Sequence, residues 1–286
     1  MNTEQASDGP AVADLPQGRI SYRAAGPAAS SGPPVVFLHG LLVDNRLWEP
    51  VSDLLAAEGI RSYAPTLPLG AHPSPMNRDA DLSPAGIAGL VRDFIATLGL
   101  SNAIIVGNDT GGAICQVMLG GDTSRIGAAV LTDCDAFDTF PPRGLAPLFW
   151  ALRHPGLVAC LEPGLRSARL RHGPLGFGPL SSAPLDGELT RDWVRPLASR
   201  AIRRDLAKFA RRVRPDVLLD AASRFGQFAG PVRILWGEDD LYFDIELGRR
   251  LSEAFPHASL ATLQAGRTFL PLDRPDKVAN EIVATI

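Results

Sequence analysis

Residues 107–112 read Gly107-Asn108-Asp109-Thr110-Gly111-Gly112, directly after the apolar run Ala103-Ile104-Ile105-Val106. An acidic residue therefore stands at the tip of a turn between a strand pattern and a helix pattern. Such a turn has to be tight, and Gly107, Gly111 and Gly112 supply the small neighbours that tightness demands. Three roles suit Asp109 there: a carboxylate nucleophile, a carrier of protons, or a helix cap, since Asp is a preferred N-cap residue. A side chain in this place projects from the carboxyl edge of a sheet. The next amide, that of Thr110, opens a helix and can face developing negative charge.

Positioning that turn requires strands and helices on either side. Val35–Leu38 is a continuous apolar run, the pattern of a strand covered on both faces. Leu47, Val51, Leu54 and Leu55 recur at helical spacing and predict a helix over 46–58, with a strand following at Ile60–Ala64. Ser83-Pro84 is a cap residue followed by proline at the first helical position, and the helix it predicts runs to about Leu98. Ala103–Val106, a helix from the Asp109 turn to Leu119, and Ala128–Thr132 continue the alternation, which resumes with strands at Val232–Trp236 and Ser259–Leu263. Alternating strands and helices predict an α/β fold with a mostly parallel central sheet flanked by helices.

Residues 1–18 and Gly26–Pro34 are rich in Ala, Ser, Gly and Pro and are expected as a flexible tail and a loop, with Arg19–Ala25 an edge strand between them. From 136 to 230 no strand pattern is visible, so the chain is expected to divide into a tail (1–18), a core (19–135 and 231–286) and an inserted helical cap (136–230). The cap carries fourteen Arg and one Lys against eight Asp or Glu, whereas the whole chain has a net charge of −3. A solvated basic face packed on an acidic core is the simplest reading, and attraction of an anionic substrate is the sharper one.

Bulk composition narrows the classes further. With 286 residues and 45% hydrophobic content the chain is an ordinary soluble globular protein. No run approaches the roughly 18 apolar residues of a membrane span, and the polar Met1–Asp14 segment lacks a signal-peptide core, so a cytoplasmic protein is expected. Cys115, Cys134 and Cys160 have no metal-type spacing and are expected as reduced thiols. No phosphate loop, zinc motif or nucleic-acid motif is present, so no cofactor, metal, nucleic-acid partner or membrane partner is expected. The expected partner is a small-molecule substrate, and the oligomeric state stays open, a homodimer being allowed.

Four stretches together resemble the α/β-hydrolase superfamily over about residues 19–286: Val35-Val36-Phe37-Leu38-His39-Gly40, the turn at 107–112, Ile234-Leu235-Trp236-Gly237-Glu238-Asp239-Asp240, and Phe269-Leu270-Pro271-Leu272-Asp273-Arg274-Pro275. An Asp at the nucleophile elbow resembles the haloalkane dehalogenase and epoxide hydrolase branch, in which the carboxylate attacks carbon to form an ester. The resemblance implies Asp109 as nucleophile and the amides of Leu41 and Thr110 as an oxyanion hole. It implies Asp240, after the seventh strand, as the supporting acid, with Asp135, after the sixth, as the alternative. His39, Leu42, Phe137, Phe140, Trp150, Thr268 and Phe269 flank the positions where the family binds substrate.

The chain also departs from that pattern. The family's base histidine precedes the aromatic of Phe269-Leu270-Pro271, and here Thr268 stands in its place with Arg267 beside it. His39 belongs to the turn after a strand, His257 precedes the last strand, and His72, His154 and His172 are expected to be solvated. Thr110 replaces the tryptophan that holds halide in dehalogenases, no tyrosine lies between Tyr63 and Tyr242 to protonate an epoxide, and Leu41-Leu42 replaces the usual His-Gly-x-Pro turn. An ionised Asp needs no base to attack, whereas a Ser does. Release of the ester does need one, and its loss costs about 10² to 10⁴ in rate. The leading expectation is a hydrolase with an atypical base acting on a small, mostly apolar epoxide, halide or ester. The alternatives are a lyase, cyclase or isomerase using Asp109 for proton transfer, and a ligand-binding pseudoenzyme.

Overall fold

Val35–Leu38 and Ala103–Val106 lie side by side in the middle of one sheet, where helices cover both faces and every side chain of the two runs is buried. The computed structural model describes residues 11–30 and 32–286. Its eight strands are β1 (Ala11–Leu15), β2 (Gly18–Ala25), β3 (Val35–Leu38), β4 (Ser62–Pro65), β5 (Ala103–Asn108), β6 (Ile126–Thr132), β7 (Val232–Gly237) and β8 (Ala258–Leu263), ordered β1-β2-β4-β3-β5-β6-β7-β8. All neighbours from β4 to β8 in that order run parallel, while β2 is antiparallel to both β1 and β4.

Two expectations about the first residues are corrected. Residues 11–15, assigned to the tail, form β1, and β2 is an interior strand rather than the edge. Ala13 and Leu15 bury one face of β1 while Val12 stays exposed, a three-residue alternation too short to stand out among Ala, Asp and Pro. Residues 1–10 of the expected tail lie outside the described residues.

The flanking helices are α1 (Glu49–Ala57), α2 (Pro84–Thr97), α3 (Thr110–Leu119), and later α10 (Ile245–Ala254), α11 (Leu270–Asp273) and α12 (Pro275–Val283). The helix expected over 46–58 begins as a 3₁₀ turn, Asn45–Trp48, because Pro50 lacks the amide that an α-helix starting at 46 would need. In α2 the Ser83 hydroxyl accepts the Gly86 amide at 3.1 Å, and Ile87, Leu90, Val91, Phe94 and Ile95 form the buried stripe. No helix among the described residues is long and apolar enough to cross a membrane.

Between β6 and β7 the chain forms the helices α4 (Ala146–Leu152), α5 (Pro155–Leu165), α6 (Ala168–Arg171), α7 (Gly187–Val194), α8 (Arg200–Ala210) and α9 (Pro215–Ala222). Buried carboxylates tie this basic insertion to the sheet domain. The Trp193 indole N–H donates to Asp44 Oδ1 at 3.0 Å, Arg46 donates to Asp44 Oδ2 at 2.7 Å, and the same guanidinium reaches Asp192 at 3.1 Å. On α8, fully buried Asp205 accepts the Met76 amide at 2.8 Å and faces His72 Nε2 at 3.5 Å. His72 is thus buried in the joint between the two parts, not solvated as expected. Asp44→Ala would strand a buried indole N–H and should cost about 1–3 kcal/mol. Urea unfolding checks this, and an unchanged midpoint would mean that the tie carries no stability.

Candidate active site

β5 ends at Asn108 and α3 begins at Thr110, so the single residue Asp109 makes the whole reversal. Its φ of 53° and ψ of −129° are strained for a residue with a Cβ, a cost on the order of 1–3 kcal/mol. Hydrogen bonds hold the strained unit: the Asp109 amide donates to Asp133 O at 2.9 Å, and Asp109 O accepts the Gly112 amide at 3.0 Å. A Cβ on Gly111 would lie 2.1 Å from Leu38 O, so only glycine lets α3 approach β3 this closely.

The Asp109 side chain makes no N-cap bond to α3. Its Oδ2 instead accepts the Leu41 amide at 2.9 Å, and the Thr110 amide also stabilises the carboxylate. Burial pushes the carboxyl up to about 6, with those two amides opposing the shift and the Asp240 charge adding to it. A Cβ on Gly40 would sit 2.1 Å from Asp109 Oδ2. Gly40→Ala should therefore push the carboxylate off the Leu41 amide and lower substrate consumption by about 10²-fold, the cost of a misplacement near 1 Å. Undiminished activity in a folded Gly40→Ala protein would show that this placement is not required.

Asp135 and Asp240 approach from the two strands beyond β5. Asp135, three residues past the end of β6, is fully buried, and neither carboxyl oxygen has a partner among the described residues. Its main-chain oxygen accepts Gln116 Nε2 from α3 at 2.6 Å. Burial, reinforced by the Asp109 charge, pushes Asp135 well above the usual carboxylate range and so favours its protonated form. In the loop after β7, Asp240 Oδ1 accepts the amides of Tyr242 at 2.7 Å and Phe243 at 2.8 Å, and Oδ2 accepts the Thr268 hydroxyl at 2.7 Å. Burial raises Asp240 despite those three donors. Thr268, 1% exposed, also accepts Asn108 Nδ2 on its carbonyl at 2.5 Å, which links it to the residue before Asp109.

Asp133 belongs to the same cluster and escaped the sequence reading. It has a positive φ, its Oδ1 accepts the Gly237 amide at 2.8 Å, and burial raises its carboxyl well above normal. The available signal was Asp133-Cys134-Asp135, two acids at the carboxyl end of a buried central strand.

Two expected pocket residues are corrected. Trp150 is 58% exposed and packs against His154, so it lines no enclosed site. His39 is fully buried: its Nε2 accepts the Leu67 amide at 2.8 Å, its Nδ1–H donates to Gly40 O at 2.8 Å, and burial lowers it to about 4. That neutral ring braces the turn before Leu41. Leu42 is half-buried beside Gly70. Phe269 packs edge-on against Trp193 at 5.8 Å, Phe140 is buried, and the half-buried Phe137 ring receives the Arg250 guanidinium at 4.6 Å. His172 bonds Thr190, His257 is exposed, and among the described residues no histidine hydrogen-bonds Asp109 or Asp240.

Comparison with known proteins agrees with the fold. The alpha/beta hydrolase family profile matches residues 35–281. The crystal structure of haloalkane dehalogenase DbeA from Bradyrhizobium elkani superposes with a TM-score of 0.78 at 18% identity, covering 96% of each chain. An alpha/beta hydrolase fold protein from Burkholderia ambifaria gives 0.73 at 21% identity, covering 96% of this chain and all of that one. In sequence, the chain is 24% identical over 180 residues to 2-hydroxy-6-oxononadienedioate/2-hydroxy-6-oxononatrienedioate hydrolase 1 of Dechloromonas aromatica. It is 24% identical over 98 residues to the uncharacterized hydrolase YugF of Bacillus subtilis. These matches cover 60% and 34% of this chain, and 58% and 35% of the respective relatives.

Proposed function

The chain belongs to the alpha/beta hydrolase family, and from that premise we propose that it is an enzyme of hydrolase type in which the Asp109 carboxylate attacks carbon of a small, mostly apolar epoxide or alkyl halide. The observation that carries this reading is the bond from the Leu41 amide to Asp109 Oδ2 at 2.9 Å, together with the Thr110 amide acting on the same carboxylate. A serine-type acyl transfer needs those two donors free for an oxygen of the substrate. Here the carboxylate itself occupies the Leu41 donor, which anchors Oδ2 and leaves Oδ1 as the attacking atom.

In the first step the Oδ1–C bond forms while the carbon–halogen or carbon–oxygen bond breaks, giving an ester of Asp109. The ester carbonyl oxygen, Oδ2, then already rests on the Leu41 amide, so the oxyanion formed when water adds at Cγ is stabilised by a donor in place. Thr268 takes no part as a base, because its hydroxyl donates to Asp240. The helical insertion serves as the cap, held over the strand ends by Trp193 on Asp44 and by the Phe269 amide on Leu180 O at 2.7 Å. Incubation with styrene oxide and 1-bromohexane, followed by intact-mass and peptide analysis, tests the proposal. A mass increment on Asp109 is expected, and a panel of such reagents that neither labels Asp109 nor is consumed removes the idea.

One observation favours a second reading. Asp109, pushed up to about 6, with its charge acting on Asp135, which burial raises well above the usual carboxylate range, is also poised to move protons in a lyase or isomerase. Solvent deuterium in the product without oxygen-18 from labelled water would select that reading over hydrolysis.

A further inference from the structure

We propose that Asp109 and Asp135 work as a pair sharing one proton, with Asp135 first protonating the oxygen of an opened epoxide and then taking the proton of the water that releases the ester. This rests on the Asp109-nucleophile reading, and it narrows the substrate class to epoxides and assigns Asp135 the roles of both the absent tyrosine and the absent histidine.

The placement comes from β5, β6 and α3. Asn108 pairs with Thr132 at the ends of neighbouring parallel strands, and the Asp109 amide donates to Asp133 O at 2.9 Å, so the two chain segments leave the sheet together. Gln116, on the helix that Asp109 starts, holds the Asp135 main chain at 2.6 Å. Asp135 is thereby fixed beside α3 with both carboxyl oxygens buried and unpartnered among the described residues. A buried carboxyl without partners is costly, and a structural role would have found it donors. Asp133 differs in that its Oδ1 is engaged by Gly237, and the charges that raise it are those of Asp240 and Asp273 rather than Asp109. The titratable group whose charge acts on Asp135 is Asp109, with Asp133 two residues before it and burial raising the thiols of Cys115 and Cys134.

The proton accounting closes. At rest Asp109 is a carboxylate and Asp135 a carboxylic acid. Attack of Asp109 on the epoxide carbon breaks the ring C–O bond and leaves an alkoxide, which takes the Asp135 proton. The ester is neutral and Asp135 is now the carboxylate. Water adds at the ester Cγ and gives its proton to Asp135. Collapse then breaks the bond from Cγ to the alkyl oxygen, the departing alkoxide takes the remaining proton from the new Asp109 carboxyl, and the diol leaves. The pair carries one negative charge at each stage, so two buried charges never coexist. An alkyl halide supplies no alkoxide to accept the Asp135 proton, and its leaving ion wants an N–H donor. The Trp193 indole is engaged by Asp44, and Thr110 stands where dehalogenases resemble one another in placing tryptophan.

Asp135→Asn, compared with the unaltered enzyme on two probes, tests this. With styrene oxide in oxygen-18 water, the variant should form and release the Asp109 adduct about 10²-fold more slowly, as removal of a positioned acid and base requires. With 1-bromohexane, whose attack step needs no proton, labelling of Asp109 should change by less than about threefold, which also reports that the site is intact. Equal loss of both reactions would make Asp135 a structural residue and overturn the proposal. Wild-type rates of adduct formation and release from styrene oxide would overturn it too, leaving the Asp109 reading untouched. Absence of any Asp109 adduct in the unaltered enzyme with either probe would overturn both.

Discussion

Asp109→Asn is expected to abolish covalent labelling, to lower substrate consumption by about 10⁴-fold or more, and to stabilise the fold at alkaline pH. With Asp109 as the proposed nucleophile, the first two effects follow from removing the attacking oxygen, since loss of a nucleophile leaves only binding and oriented dipoles. The third follows from the site's electrostatics. Burial raises Asp109 from 3.8 to about 6, so the folded chain binds this proton more tightly than the unfolded chain. A carboxyl raised in this way contributes stability that is complete below the unfolded value and is lost as pH rises through the folded value. At pH 8 the charged form burdens the fold by up to about 3 kcal/mol, from about two pH units at 1.36 kcal/mol each. Asparagine keeps an oxygen for the Leu41 amide and carries no charge, so urea unfolding at pH 8 should show the variant more stable, with the gain gone below pH 4. A gain of equal size at both pH values would remove the electrostatic account. In the unaltered protein the labelling rate should be half-maximal near pH 6 and fall tenfold per unit below it, because in the proposed mechanism only ionised Asp109 attacks.

Thr268→His should raise the rate of ester release by about 10²-fold, and by up to about 10⁴-fold in the Asp135→Asn background. Thr268 already touches Asp240 Oδ2 at 2.7 Å, the bond that would orient an imidazole and stabilise its protonated form. Its carbonyl is held by Asn108, so the side chain starts from a backbone fixed next to Asp109. The site is 1% exposed, and the larger ring should cost about 1–3 kcal/mol through crowding. The lifetime of the Asp109 adduct, followed by quenched-flow mass spectrometry, gives the answer. An unchanged lifetime in a folded Thr268→His protein would mean that release is not limited by a base.

The turn at 107–112 was legible because its requirements are local: a buried strand, a helix start, and glycines where α3 crosses β3. Its neighbours were less so. β1 pairs with β2 across a two-residue turn, yet its alternation is too short to separate from loop composition. His72 reads as a loop residue until Asp205, 133 positions later, closes over it. Asp44 and Trp193, 149 residues apart, look like an unremarkable acid and a core aromatic until they meet. Trp150 looked like a pocket wall only because it lies near other aromatics in the sequence.

By itself, then, the sequence determined the parallel α/β architecture, the strand–Asp109–helix reversal and the threonine at position 268, because each depends on the type and spacing of residues near one another in the chain. Only the tertiary structure decided that the Leu41 amide is turned on the Asp109 carboxylate, that Thr268 serves Asp240 as a donor, and that burial raises Asp135 well above the usual carboxylate range. Those properties depend on which distant segments exclude water from a carboxyl and which leave it a donor, and desolvation is a property of the assembled fold.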